Sequence, residues 1–243
     1  MSVSFPKLRN ISMRSQVVYE IESKIFSGEL KPGDRLPPER DLAAAMGVSR
    51  SLVNLAILDL EAKGFLRVIP RKGTFVTDYK KESTPQMLLS LINHSSEITD
   101  HNFFTNLSEM RILLESECAK LAAVNATDDN LAELEKTIEQ MKSSLHGDRN
   151  KFMHANFRFH YEVCNASGNI IYAMIFKSFE QSLLYYLPKI FNNKERCATS
   201  IKQHELLLDA LRSRNADRSE QATMAIMHEG IGILEQLFET KED

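Results

Sequence analysis

The sequence predicts a mainly α-helical protein in two parts: a small N-terminal unit of three helices closed by a β-hairpin, then an all-helical bundle of about seven helices. Three observations predict this. Apolar residues recur at helical spacing along most of the chain, strand-like runs are confined to residues 65–76, and the charge balance changes just beyond them. Residues 1–81 hold 14 Lys+Arg against 9 Asp+Glu, whereas the rest holds 16 against 24. A basic head and an acidic body fit a chain in which one part meets a polyanion and the other stays off it.

Residues 1–11 read as a short arm carrying Lys7 and Arg9. From Ser12 to Ser27, the residues Val17, Val18, Ile21, Ile25 and Phe26 fall on one helical face, and Gly28 closes the helix. Pro38 suits a first helical residue, Asp41 to Met46 continue a short helix, and Gly47 stops it. Ser49 can cap the next helix, whose residues Leu52, Val53, Ala56, Ile57 and Leu60 turn inward. Arg50, Ser51 and Asn54 then point outward near the helix N-terminus, where a guanidinium and two small polar groups can enter a major groove. Gly64 ends this helix, and Phe65–Ile69 and Thr74–Val76 read as strands around the turn Pro70-Arg71-Lys72-Gly73. A helix-turn-helix followed by a basic-tipped hairpin is a winged helix-turn-helix.

The head resembles the GntR family of bacterial transcription regulators. The resemblance rests on Gly33-Asp34-Arg35-Leu36-Pro37 with Glu39-Arg40, then Val48-Ser49-Arg50, Leu60-Glu61, Gly64 and Gly73-Thr74-Phe75-Val76. It implies that Arg40, Ser49, Arg50 and Ser51 contact phosphates and bases of double-stranded DNA, with Asn54 beside them and the wing tip Arg71, Lys72, Gly73 in the minor groove. The alternative for Arg40 and Arg50 is pairing with Glu39 or Asp41. The sequence departs from the family at Asn54, where Arg is usual, and at Leu55 and Leu58, where polar residues are usual.

The polar run from Asp78 to Pro85 marks a linker, which divides the chain into a DNA-binding head (1–80) and a body (81–243). Body helices are expected at about 86–97, 103–124, 128–146, 150–167, 169–190, 194–214 and 216–239. Thr127-Asp128-Asp129 supplies a cap with acidic first-turn residues, His146-Gly147-Asp148 a stop and restart, and Ser167-Gly168-Asn169 a turn. At 243 residues, 43% hydrophobic and 26% charged, the chain can fill two cores and is not of disordered composition. Cys118, Cys164 and Cys197 lack CxxC spacing, which argues against a disulfide framework or zinc knuckle, and Cys164 reads as helix packing. With no membrane-length apolar run and no signal pattern, a cytoplasmic protein is expected.

Asn156 and His160 lie one helical turn apart on one face, and His204 and His228 sit on later helices among apolar neighbours. If those faces turn inward, an amide oxygen and three imidazoles can form a metal cage. Spacing alone equally allows satisfied core histidines. His94, His101, His146 and His154 read as solvated surface.

The body resembles the FCD ligand-binding domain of the FadR-type subgroup. The matching pieces are Arg111-Ile112-Leu113-Leu114-Glu115, Leu121-Ala122-Ala123, Asn156-Phe157-Arg158-Phe159-His160, Ala166-Ser167-Gly168-Asn169, His204 with Leu207 to Ala210, and Ala222 with His228. The resemblance implies a divalent metal, commonly zinc, held by Asn156, His160, His204 and His228, with Asn156 replacing the family's Asp. It also implies that Arg111 faces a small organic acid effector, the alternative being a helical salt bridge to Glu115. The whole is then a homodimeric repressor on a palindromic operator, in which the effector, between metal and Arg111, repacks the body and changes the spacing of two heads. A metal-independent sensor of an apolar or acyl ligand is the second reading. A metalloenzyme with a DNA-binding appendage is disfavoured, because no general base like that of HExxH accompanies the histidines.

Overall fold

A computed structural model describes residues 12–94 and 101–239. The described residues form two compact units, which divide after His94. The arm with Lys7 and Arg9 lies outside the described residues.

The first unit contains α1 (Met13–Phe26), α2 (Glu39–Met46), α3 (Arg50–Lys63), β1 (Leu66–Ile69), β2 (Gly73–Val76) and α4 (Pro85–Asn93). Local chemistry sets the ends. Ser12 and Ser49 accept Ser15 N–H and Leu52 N–H at 3.1 and 3.3 Å, capping α1 and α3. Pro38 is the N-cap of α2 rather than its first residue, and Gly47, at φ 66°, turns the chain into the cap of α3. The strands pair antiparallel with Leu66 opposite Val76. Val17, Ile21, Val53, Ile57, Leu60 and Phe65 form the core, and burying that face of α3 is what leaves Ser51 and Asn54 exposed.

The unit ends at residue 94, beyond the boundary expected near 80, because α4 packs on the head. Met87 enters the head core, and Ser90 donates to buried Glu22 on α1 at 3.0 Å. Lys63 Nζ lies 2.7 Å from the same Glu22 oxygen. His94, expected on the surface, is buried. Its ring stacks on Tyr19 at 4.1 Å, and its Nδ1 is 2.9 Å from Ser90 O and 3.8 Å from Glu22. A flat aromatic ring with two polar atoms can satisfy itself inside a small interface, which periodicity does not reveal. His146 and His154 are exposed as expected, while the side chain of His101 lies outside the described residues.

The second unit contains α5 (His101–Asn125), α6 (Asp128–Ser144), α7 (Arg149–Ala166), α8 (Ile170–Ser178), α9 (Glu180–Ile190), α10 (Lys194–Arg212) and α11 (Ala216–Glu239). Among the described residues, eight helices follow the wing, one more than expected. The segment 169–190 is not one helix but α8 and α9, broken at Phe179. Its ring is buried and its N–H bonds Phe176 O at 3.1 Å, so the last turn tightens without Gly or Pro. Helix α5 packs on α7 and α11, α7 on α6, and α10 on α11, around Leu134, Phe152, Phe159, Phe176, Leu207 and Leu211. Cys118, Cys164 and Cys197 are buried free thiols. No single described helix is long and apolar enough to cross a membrane.

Candidate functional site

Two surfaces hold the residues singled out from the sequence. On the first unit, Ser49, Arg50, Ser51 and Asn54 cluster at the exposed start of α3, with Arg40 exposed on α2. Arg50 Nε and Asn54 Nδ2 each donate to Glu39, on separate carboxylate oxygens and both at 2.9 Å. The Asn54 hydrogen bond, then Arg50, holds the Glu39 carboxyl below its ordinary range. Arg40 Nε lies 3.2 Å from Asp41. The pairings foreseen as the alternative are therefore present, but the Arg40 and Arg50 side chains remain 87% and 74% exposed. Such solvent-screened pairs are weak and easily exchanged for a phosphate. Glu39, the pairing partner the sequence offers for Arg50, also takes Asn54 and so aligns the two side by side. Leu55 and Leu58 share this exposed face.

At the wing tip Arg71 and Lys72 are exposed, and Arg71 has a positive φ of 62°. Gly73 is required by its backbone: its φ is 120°, where an L side chain is strained, while the nearest atom to a Cβ there belongs to the exposed, movable Arg35 side chain.

The second unit contains an open cavity with about 60 Å³ of free interior volume. Its apolar wall includes Phe104, Leu187, Ile190, Phe191, Ile226 and Leu234, and its polar wall Ser108, Arg111, Asn156, His160, Arg196, Ser200, Gln203 and Glu229. Arg111 Nε donates to Glu115 at 2.7 Å, one turn further along α5. The other Glu115 oxygen lies 2.7 Å from His160 Nδ1 on α7. Burial works against this carboxylate, but Arg111 and then His160 outweigh it and hold its pKa at about 2. His160 Nε2 faces His204 Nε2 at 3.2 Å, and Asn156 Nδ2 approaches the same His204 nitrogen at 3.2 Å. His204 Nδ1 lies 2.6 Å from Ser200 O, an acceptor, so this nitrogen carries the proton. Burial, then His160, pushes the His204 pKa down to about 3, leaving the ring neutral with its Nε2 lone pair accepting.

The structure thus brings together Arg111, Asn156, His160 and His204. It adds Glu115, Ser200 and Arg196, which sequence reasoning did not assign to the site. The signal for two of them was helical: Glu115 is four residues after Arg111, and Ser200 four before His204.

A model of the gntR family of bacterial regulatory proteins matches residues 13–76, and an FCD-domain model matches residues 106–229, just over half of the chain. This chain belongs to the GntR family and carries an FCD domain. It is a DNA-binding transcription regulator, not an enzyme. It is 27% identical over 213 residues to the HTH-type transcriptional repressor NanR of Salmonella newport, covering 86% of this chain and 80% of that one. The solved Streptococcus agalactiae GntR is 26% identical with a TM-score of 0.50, covering 90% of this chain and 99% of that one. The structure of Lar, described as controlling the Listeria monocytogenes agr system, shares the fold at a TM-score of 0.56 and 19% identity, over 96% and 100% of the two chains.

In this GntR regulator the FCD domain does not assemble the expected four-residue zinc cage. His228 is exposed on α11, whereas Ile226, Gly230 and Leu234 on the same helix line the cavity. Residue 228 lies roughly 200° around the helix from buried residue 226, and its side chain faces solvent. The three remaining donors are one amide and two imidazoles, with no carboxylate among them. Glu115, a nearby carboxylate, is engaged by Arg111 and His160, and the Asn156 amide already occupies the His204 Nε2 at 3.2 Å. Among the described residues, no group of three or more His, Cys, Asp or Glu is placed to hold a metal ion. The residues present do not fit a resident zinc ion.

Proposed function

We propose that this regulator is a cytoplasmic homodimeric repressor that binds a palindromic operator and releases it when a small organic acid enters the FCD cavity, without a resident metal. The observation that carries the effector reading is the cavity wall: Arg111 and Arg196 stand at its polar side with Glu229 as the one carboxylate among the lining residues, and Phe104, Leu187, Ile190, Phe191, Ile226 and Leu234 supply an apolar side. A guanidinium in such surroundings can fork a carboxylate, while the apolar wall takes the body of the acid. Glu115 holds Arg111 by Nε, so this guanidinium is pre-positioned rather than free to search.

On the DNA side, the α3 N-terminus and the basic wing tip suit phosphate and groove contacts. Arg40, Ser49, Arg50, Ser51 and Asn54 are assigned to the operator face, Arg71 and Lys72 to phosphates beside the wing, and Gly73 to the turn that presents them. The repressor assignment is supported by the likeness to a repressor named NanR.

Fluorescence anisotropy on an operator fragment selected from random DNA tests this, with a panel of carboxylates added. One acid should lower operator affinity at least tenfold in wild type, and Arg111→Met should abolish the response while leaving apo-protein DNA affinity within about twofold. A panel that instead yields only an uncharged apolar effector, still active on Arg111→Met, would overturn the organic-acid reading.

A further inference from the structure

The outward face of α3 is apolar beyond its first turn. Ser51, Asn54, Leu55, Leu58 and Ala62 are exposed, and at about 100° per residue they fall within one arc of roughly 100°. Leu55 and Leu58 are 45% and 49% exposed. They are not overflow from the core, because Val53, Ala56, Ile57 and Leu60 already fill the inward face of the helix. The stripe also presents no unpaired carboxylate. Asp59, at its edge, is forked by Arg14 of α1, whose Nε and Nη2 each donate to one carboxylate oxygen. Glu39 is taken up by Arg50 and Asn54. An ionised carboxylate only accepts, so Glu39 fixes the Asn54 amide with its NH2 toward α2, leaving its Oδ1 and second N–H for another partner.

We infer that this stripe reads A·T base pairs in the major groove, with Leu55 and Leu58 packed against thymine methyl groups and the Asn54 amide paired to an adenine edge. The inference rests on the operator-face reading above and deepens it by naming the bases. Three features select DNA as the occupant. The leucine side chains continue without a break from Ser51 and Asn54 at the exposed start of α3, in a chain that belongs to a family of DNA-binding regulators. Thymine alone among the bases carries a methyl group on its major-groove edge, which is what an aliphatic side chain can bury there. Adenine presents the N7 acceptor and N6 donor side by side, the complement of an amide N–H and Oδ1. The spacing agrees: at 1.5 Å per residue Leu58 lies about 4.5 Å beyond Leu55, and base pairs stack about 3.4 Å apart, so the two reach the same or neighbouring pairs.

The test starts from wild-type protein and an operator fragment selected from random DNA, so its first arm needs no variant to fold. Each thymine in turn is replaced by deoxyuridine, which lacks only the 5-methyl group, and affinity is read by fluorescence anisotropy. At one or two thymines per half-site the loss should be about fourfold, the equivalent of ~0.8 kcal/mol for one buried methyl group. Replacing an adenine within about three base pairs of them by 7-deazaadenine, which lacks the N7 acceptor, should cost roughly fivefold or more. Leu55→Ala/Leu58→Ala should bind the thymine operator more weakly and become indifferent to deoxyuridine at the same positions, with an unchanged salt slope because no ionic contact is removed. If no thymine responds to loss of its methyl group, or the double variant still responds, the leucine assignment fails and these side chains serve another surface. If no adenine responds to 7-deazaadenine, the Asn54 assignment fails. Arg50→Ala separates these failures from failure of the operator face itself: binding equal to wild type would sink that reading and the inference together, whereas weaker binding leaves the operator face standing whatever the methyl groups show.

Discussion

Glu115 is the residue on which the polar side of the cavity turns, and Glu115→Gln tests that directly. The substitution keeps size but removes the charge that Arg111 and His160 face and turns one of the two acceptor oxygens into a donor NH2. The carboxyl pKa is held at about 2 against an ordinary 4.5. At about 1.36 kcal/mol per pH unit, that interval corresponds to on the order of 3 kcal/mol in favour of the ionised form of the fold. Since the folded pKa is depressed, this contribution is complete above the unfolded pKa, near 4.5, and is lost as pH falls through about 2. Glu115→Gln should therefore lower the melting temperature of the FCD domain at pH 7 by roughly 6–12 °C, taking ~2–4 °C per kcal/mol for a domain of this size. The gap between variant and wild type should narrow between pH 4.5 and pH 3. Scanning calorimetry of both proteins across that range is the assay. A loss under about 2 °C at pH 7, or a gap unchanged down to pH 3, would refute the claim that the ionised carboxylate organises the site.

Arg50→Ala should weaken operator binding and reduce the slope of log K against log salt by about 1 if it meets a phosphate, measured by anisotropy from low to moderate salt. An unchanged slope together with altered base preference would make Arg50 a base reader instead. Zinc added to chelator-treated protein should move the FCD melting temperature by less than about 1 °C, whereas occupancy at a hundred times Kd would add about 2.7 kcal/mol. A rise of several degrees that His160→Ala and His204→Ala remove would restore the metal centre. Lys63→Met should destabilise the DNA-binding unit by about 2 kcal/mol, read from chemical unfolding of the full chain. This discounts the ~3–5 kcal/mol of a fully buried pair, since Lys63 is one-third exposed beside buried Glu22. A change below about 0.5 kcal/mol would show that Ser90 and His94 hold Glu22 without it.

Much of the head is legible in the chain because its signals are local. Ser49 and Gly64 bracket α3, Gly47 sits at the left-handed turn, and the period of Val53, Ala56, Ile57 and Leu60 fixes which side of α3 faces out. The site in the body is legible only in part. Asn156 and His160 are neighbours on one helix and were found together. His204 met them through packing of α10 that its apolar neighbours announced. His228 has apolar neighbours too, and only the observed phase of α11, with Ile226 toward the cavity, excludes it.

What the sequence by itself determined is the order and kind of elements, the winged head, and the short list of polar residues able to do chemistry. Caps, turns and periodicity act over a few residues and are written in the chain. Tertiary structure decided which of those residues meet. Residues 111, 160 and 204 come from three helices, and a rotation of one helix by half a turn replaces an imidazole with an isoleucine. It also decided that α4 belongs to the head, through Glu22, Lys63, Ser90 and His94, and that α8 stops at Phe179. Each of these depends on surfaces distant in sequence fitting together, and no local pattern encodes that fit.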